Sequence, residues 1–205
     1  GVSVPAGAIG GDWFDFIDLG NGRWGLVLAD VSGKGTAAAL LMSATRAMLR
    51  SLAENACTPA EVLTKLNRLL VEDFPSGRFV TMVYAVLDSQ KSTLTYANAG
   101  HLPPLLVDGS GARFLETEMG LPLGIRHGTY SEKTLSLEDK FRVALYSDGI
   151  TEATNALDEE YGAQRLVEFV QRGETCPEHL IEDVRAFASG AGLRDDATVI
   201  MLRRA

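Results

Sequence analysis

Residues 24–36 read Trp24-Gly25-Leu26-Val27-Leu28-Ala29-Asp30-Val31-Ser32-Gly33-Lys34-Gly35-Thr36, and this stretch decides the fold. An apolar run of strand-forming residues ends at the carboxylate of Asp30 and at Val31. After the glycines the pattern changes to strong helix formers at 37–42 and 44–52. The stretch therefore predicts a strand, a short loop and a helix, with an acidic side chain where the strand ends.

Turn and cap signals on both sides of this stretch predict the neighbouring elements. Gly20-Asn21-Gly22 supplies the positive-φ residues of a tight hairpin between strands at 9–18 and 24–31. Thr58-Pro59-Ala60-Glu61 combines an N-cap, a first-turn proline and a capping-box acid, which predict a second helix. Further strands are predicted at 79–87, 93–98, 105–107, 113–115, 130–135, 141–146 and 197–202, and helices at 163–171 and 177–188.

Short connections between the strands indicate the fold class. Hairpins outnumber crossovers in the middle of the chain, so antiparallel sheets are favoured over a parallel one. Helix pairs on the outer faces of two stacked sheets would cover every apolar face. We therefore predict an α+β fold, a four-layer α-β-β-α sandwich of two mainly antiparallel sheets flanked by helix pairs. No repeat or linker is present, so residues 1–205 are predicted to form a single domain.

Composition excludes several classes of protein. The 205 residues are 46% hydrophobic, enough for a full core, and the net charge is −8 without a basic stripe, which argues against a nucleic-acid partner. Cys57 and Cys176 share no motif with each other or with a histidine, which argues against disulfides and zinc. Without an apolar span or leader, we expect a cytoplasmic location with no membrane contact. Because the chain starts at Gly1 and enters a motif almost at once, we expect it to be excised from a longer regulator with an upstream sensor domain.

Four acidic motifs, widely separated in the chain, carry the functional signal. They are Gly10-Gly11-Asp12-Trp13-Phe14-Asp15, Ala29-Asp30-Val31-Ser32-Gly33-Lys34-Gly35, Tyr146-Ser147-Asp148-Gly149 and Arg194-Asp195-Asp196-Ala197. At least three lie at the end or start of a strand-like run, so a sheet edge could bring their carboxylates together. Carboxylate, carbonyl and water oxygens are the ligands that Mg²⁺ and Mn²⁺ prefer. Each motif alone is weak, but together they predict a hard-metal site.

Their order, together with residues 98–105 (Asn-Ala-Gly-His-Leu-Pro-Pro-Leu), resembles the metal-dependent protein phosphatase (PPM, or protein phosphatase 2C) family. The bacterial branch similar to the stage II sporulation protein E phosphatase domain and to sigma-factor-regulating phosphatases matches best. The resemblance covers the chain from Pro5 to Leu202. It implies a β-sandwich between two helical layers, with two Mn²⁺ or Mg²⁺ ions at one end.

The resemblance also implies roles for individual residues. Asp30 matches the carboxylate that bridges both metals, and Val31 the residue whose backbone carbonyl completes one of them. Asp148 and Asp195 match ligands of the other metal, so Asp30 and these two are the expected catalytic residues. Asp12 is expected to be a ligand, directly or through water. Two metal ions can activate a shared water, so no protein nucleophile is required.

Other positions are expected to play supporting roles or depart from the family pattern. Asp15 and Asp196 are expected to support the ligand residues without binding the metal directly. Animal-type members carry an arginine before the first motif, whereas the first arginine here is Arg23, and Ser32 replaces their histidine. The enzyme should therefore be slow alone. His101, in its Gly-His-x-Pro-Pro stretch, is predicted to be structural.

The implied function is hydrolysis of phosphoserine or phosphothreonine in a small regulatory protein, an anti-sigma-factor antagonist being the expected partner. Two alternatives remain open. One is a catalytically weak or inactive protein-binding module of the same fold. The other is a diguanylate-cyclase-like enzyme, because residues 10–14 resemble the Gly-Gly-Asp-Glu-Phe turn of that family, although Trp13 replaces the glutamate.

Overall fold

The computed structural model describes residues 1–7, 9–55, 58–75, 77–116, 118, 120–188 and 193–204. The strands are β1 (Val2–Val4), β2 (Trp13–Asp18), β3 (Arg23–Val31), β4 (Val80–Asp88), β5 (Thr93–Ala99), β6 (Leu105–Asp108), β7 (Gly111–Phe114), β8 (Glu132–Ser136), β9 (Phe141–Tyr146) and β10 (Ala197–Arg204). The helices are α1 (Thr36–Asn55), α2 (Pro59–Asp73), α3 (Asp148–Thr151), α4 (Gly162–Gln171) and α5 (Pro177–Phe187).

The strands form two five-stranded sheets in which every neighbouring pair is antiparallel. One sheet has the order β1-β10-β9-β6-β7 and the other β2-β3-β4-β5-β8. Short polar turns join three of these pairs as sequential hairpins, β2–β3, β4–β5 and β6–β7, whereas the other pairs bring together strands that are further apart in the chain. The prediction of two antiparallel sheets is therefore confirmed.

Three apolar clusters separate four layers. One lies between the sheets, a second joins α1 and α2 to the β2–β8 sheet, and a third joins α4 and α5 to the other sheet. β3 shows why both faces of a strand are apolar here: Leu26 and Leu28 enter the inter-sheet cluster, whereas Val27 and Ala29 face the helices. The predicted α-β-β-α sandwich is confirmed.

Most predicted boundaries agree with the structure to within a few residues. Thr58 is the N-cap of α2, and its hydroxyl accepts the Glu61 N–H at 3.3 Å, as the capping pattern indicated. The first long strand begins at Trp13 rather than Ile9, because the N–H groups of Gly11 and Asp12 bind a carboxylate from the far end of the chain. The sequence patterns missed β1 and the four-residue α3. Cys57 lies outside the described residues.

One end of the sandwich collects the motif segments. β3 ends at Val31 and β9 at Tyr146, while β2 begins at Trp13 and β10 at Ala197. The pairing register of the strands places these ends side by side within each sheet, since Trp13 pairs with Ala29 and Val199 pairs with Tyr146. Among the described residues, none of the helices has the length and apolar character needed to cross a bilayer.

Candidate metal centre

The four candidate carboxylates come from four different elements at this end. Asp30 is the penultimate residue of β3 and shares the sandwich-facing side of Leu26 and Leu28, because side chains two apart in a strand face the same way. Asp148 opens α3, and Asp195 precedes β10. Asp12 precedes β2 and is 8% exposed. The sandwich end therefore gathers acidic groups from both sheets.

Gly11 lets the backbone of the first motif approach the second. An added Cβ at Gly11 would lie 2.7 Å from the Val31 carbonyl oxygen and 3.3 Å from Oδ1 of Asp30. These two oxygens therefore face the same point beside Gly11. A carbonyl and a carboxylate oxygen meeting there are the donor types of a hard-metal site.

Burial and mutual repulsion raise the pKa of three of these carboxyl groups. Burial, followed by the charge of Asp30, raises the pKa of Asp12 to about 8, although the Ser147 and Thr198 hydroxyls act in the opposite direction. Burial and then the charge of Asp148 raise the pKa of Asp30 to about 6. The pKa of Asp148 is also raised, first by burial and next by Asp195. Burial and the neighbouring acidic groups therefore disfavour the ionised form of these carboxyl groups.

The donor set fits a divalent cation with oxygen ligands. Oδ2 of Asp12 is buried and has no hydrogen-bond partner, which is costly unless another group satisfies it. As the side chains are placed, no three acidic, histidine or cysteine groups within the described ranges stand close enough to hold an ion. The carboxylates raise one another's pKa, and a bound cation would offset the repulsion between them.

Asp195 is already paired with a cation from the protein. Lys34 Nζ lies 3.2 Å from Oδ2 of Asp195 and donates to the Arg194 carbonyl oxygen at 3.3 Å. Both side chains are more than half exposed, so the pair is weak and screened. Lys34 therefore partly neutralises one candidate ligand without blocking it.

Asp15 lies on the helix-facing side of β2 rather than among the ligands. It accepts hydrogen bonds from Arg50 Nε at 2.6 Å and Arg46 Nε at 2.9 Å. Burial would raise the pKa of Asp15, but the hydrogen bonds from Arg50 and Arg46 outweigh it and lower that pKa. Asp15 thus anchors α1 to the sheet, whereas Asp196 contacts the first motif directly.

A cleft of about 470 Å³ opens beside the carboxylates. Its lining includes three acidic residues, Asp30, Asp148 and Glu152, and three apolar residues, Phe79, Leu102 and Pro103. Burial, and then the charge of Asp148, raises the pKa of Glu152. The cleft therefore brings acidic and apolar side chains together around one opening.

His101 joins the two sheets beneath this cleft. Its Nε2 lies 3.2 Å from the Tyr146 carbonyl oxygen, and its Nδ1 lies 2.8 Å from the Thr81 hydroxyl. Because a carbonyl oxygen only accepts, Nε2 carries the proton and Nδ1 accepts from Thr81. Burial lowers the pKa of His101 to about 4, so the ring is neutral at neutral pH. These contacts agree with the predicted structural role.

Replacing His101 with glutamine should destabilise the protein by about 2 kcal/mol at pH 7, because Thr81 and Tyr146 lose a rigid common partner. This difference in stability between the variant and the parent should shrink as the pH falls from 6.5 towards 4. In that range the histidine is protonated in the unfolded parent but not in the folded parent, so the parent itself loses stability. Urea unfolding at pH 7 and pH 5 measures both effects. A deficit that grows at pH 5 would contradict a neutral buried His101.

Some contacts in this region were not anticipated from the motifs. Arg46 and Arg50 are four residues apart on α1 and so lie on one face, a spacing that could have indicated a shared acidic partner. Arg78 Nη1 donates to the Ser32 carbonyl oxygen at 2.8 Å and occupies the space that a side chain at Gly33 would need. No local signal predicts that Arg78, from the loop before β4, holds the loop after Asp30.

Comparison with protein families gives one match over most of the chain. Residues 20–205 match the family described as Stage II sporulation protein E (SpoIIE). The phosphoserine phosphatase RsbU of Bacillus subtilis (strain 168) is 33% identical over 209 residues, which cover 99% of this chain and 62% of RsbU. The chain thus spans less than two thirds of that relative.

Solved structures give the same fold. The RsbU and RsbW domains of a Mycobacterium tuberculosis protein match with a TM-score of 0.78 at 30% identity, covering 97% of this chain and 56% of that one. The SiaA-PP2C domain of Pseudomonas aeruginosa matches with a TM-score of 0.88 over 98% of this chain and 84% of that one. At 18% identity, the second likeness shows the fold alone.

Proposed function

The chain belongs to the stage II sporulation protein E (SpoIIE) family, and on that premise we propose that it is a metal-dependent serine/threonine phosphoprotein phosphatase. The observation that carries the proposal is that four motif carboxylates lie at one sandwich end and influence one another's charge, and that Oδ2 of Asp12 is buried there without a partner. The name of RsbU, a phosphoserine phosphatase, supports the same activity.

The candidate ligands are those that the motifs predicted. Asp30, the Val31 carbonyl, Asp148 and Asp195 would hold two Mn²⁺ or Mg²⁺ ions, with Asp12 binding directly or through water. When bound, such ions supply an activated water and neutralise the phosphate oxygens.

The protein's own groups position the substrate. The apolar residues of the cleft would pack against residues beside the phosphorylated serine or threonine, and its acidic residues would lie on the side of the phosphate. Lys34, which is largely exposed, can leave Asp195 and approach the phosphate. His101 remains neutral and bonded on both nitrogens, so it holds the strands rather than moving a proton.

We assign the substrate to a small phosphorylated regulatory protein, most specifically an anti-sigma-factor antagonist. The sigma-factor-regulating branch that the motifs resemble supports this assignment. Low activity of this domain alone, with activation by an upstream sensor domain, is part of the same proposal. Ser32 stands where self-sufficient relatives have a histidine, which supports a need for activation.

Neither alternative has an observation in its favour. Trp13, at the position of the cyclase glutamate, is 5% exposed and packs in the core next to α1 and α2, so it cannot present a catalytic group. A pure binding module would not require a buried carboxylate without a partner.

Phosphate release tests the proposal. The protein should release phosphate from an aryl phosphate and from a phosphoserine-containing regulatory protein when Mn²⁺ is present, and chelator should stop both reactions. The matched control replaces Asp139, whose side chain is 99% exposed, with asparagine and should behave as the parent. Absence of release from both substrates at millimolar Mn²⁺ would refute the phosphatase.

Divalent metal should also stabilise the fold. At 100 times its dissociation constant, an ion that binds only the folded state contributes about 2.7 kcal/mol, which raises the melting temperature by about 5–10 °C in a chain of this size. Thermal unfolding in chelator and then in Mn²⁺, with Na⁺ at matched ionic strength as the control, measures the shift. Equal unfolding midpoints in chelator and in Mn²⁺ would count against the site.

A further inference from the structure

Asp196 binds the backbone of the first acidic motif. Its Oδ1 accepts the Ala6 N–H at 2.8 Å, and its Oδ2 accepts the N–H groups of Gly11 at 2.7 Å and Asp12 at 3.4 Å. Hydrogen bonds from N–H groups to a carboxylate are stronger than those to neutral acceptors. One carboxylate therefore holds the backbone at Ala6 and again at Gly11 and Asp12.

Two glycines lie against Asp196 where no side chain would fit. An added Cβ at Gly10 would overlap the Asp196 carboxylate, and one at Gly149 would overlap the Asp196 backbone oxygen. The Ser147 hydroxyl also donates to this backbone oxygen at 3.0 Å. Asp196 thus touches the first and third motifs while belonging to the fourth.

These contacts cross between the two sheets. The segment that Asp196 holds leads into β2, in the β2–β8 sheet, whereas Asp196 itself precedes β10 in the other sheet. Ser147 follows β9, which pairs with β10. A single residue therefore connects the sheets at the end where the candidate ligands meet.

We propose that Asp196 is a positioning residue that arranges the ligand carboxylates before any metal binds. It holds the backbone from Gly10 to Asp12 against the end of β9 and the start of β10. Both oxygens of Asp196 are bonded to N–H groups, so we assign it to holding the backbone rather than to the ligand set. This inference rests on the metal site of the proposed function.

Amide hydrogen exchange and metal titration test this role. In the metal-free protein, Asp196→Asn should speed exchange at the Ala6 and Gly11 amides by at least about tenfold, because asparagine keeps one oxygen, which is a weaker acceptor, and replaces the other with an NH2 group that cannot accept. The Mn²⁺ dissociation constant should rise by about 10- to 100-fold, as for other residues that orient metal ligands. Asp139→Asn, which makes the same change in charge at an exposed site, should change neither quantity.

A second variant displaces the carboxylate without removing it. Gly10→Ala should accelerate the same two amides and weaken Mn²⁺ binding, because its methyl group needs the space of Asp196. Far-UV circular dichroism confirms that each variant is folded before exchange is measured. Parent-like exchange at Ala6 and Gly11 in both folded variants would overturn the proposal.

Two further outcomes would also overturn it. If Asp196→Asn weakened Mn²⁺ binding but left the amides protected, Asp196 would act only through its charge. If Mg²⁺ accelerated amide exchange in the parent, the carboxylate would have moved to the metal as a ligand. Should the parent bind no divalent ion, the proposed function fails, yet the metal-free exchange comparison still decides whether Asp196 holds the segment.

Discussion

Replacing Asp30 with asparagine should abolish Mn²⁺-dependent phosphate release and leave the fold intact. Asp30 is the candidate that faces the other carboxylates from the end of β3, and it is the one expected to contact both metals. Loss of a bridging ligand should reduce turnover by at least about 100-fold, or about 2.7 kcal/mol of transition-state stabilisation. Steady-state phosphate release from an aryl phosphate at saturating Mn²⁺ measures the loss.

The same substitution should stabilise the metal-free protein. Burial and the charge of Asp148 raise the pKa of Asp30 from 3.8 to about 6, so the ionised carboxylate is disfavoured in the folded state. Stability is therefore lost as the pH rises from 3.8 through about 6, and the penalty is complete at higher pH. Asparagine cannot ionise, so the free energy of unfolding in chelator at pH 7.5 should increase by about 1–3 kcal/mol. The melting temperature should rise by several degrees as a result.

Opposite changes in activity and stability distinguish a functional carboxylate from a structural one. Asp139→Asn, at an exposed site, provides the matched control and should alter neither quantity. Retention of more than about a tenth of the parent activity would rule out the bridging role. A large fall in the metal-free melting temperature would show instead that Asp30 stabilises the fold.

Replacing Gly149 with alanine should damage the site through the backbone. The added methyl group would overlap the Asp196 backbone oxygen and lie 3.1 Å from the Asp195 backbone oxygen. Backbone atoms cannot rotate away as a flexible side chain can, so the turn that carries Asp148 must shift. We expect about 1–3 kcal/mol of destabilisation and about a 100-fold loss of turnover, because small displacements of catalytic groups are costly.

Gly128→Ala provides the control, since an added Cβ there meets nothing within 4 Å. Thermal unfolding, Mn²⁺ titration and phosphate release should separate the two variants. Parent-like metal affinity in Gly149→Ala would mean that the turn at Asp148 tolerates the methyl group, and that the close approach of the third and fourth motifs is not required.

Local patterns in the sequence determined the architecture. Hairpin turns, the Thr58 cap and the change from apolar strand to helix formers after Gly35 predicted the elements and the four-layer sandwich. These signals are reliable because each depends on residues close together in the chain. The four acidic motifs likewise indicated one metal centre, because their carboxylates stand at strand ends.

Tertiary structure alone decided what each acidic residue contacts. Asp12 and Asp15 belong to one motif, yet Asp12 lies at the sandwich end and Asp15 binds Arg46 and Arg50 on α1. Strand alternation turns Asp15 towards the helices, but only the packed sheet and helix bring the two arginines to it.

Adjacent residues in the fourth motif differ for the same reason. Asp195 extends to Lys34, whereas Asp196 binds N–H groups 184–190 residues earlier in the chain. No pattern within the motif can predict such partners, because a hydrogen bond depends on distances of about 3 Å that are set only when both sheets have formed.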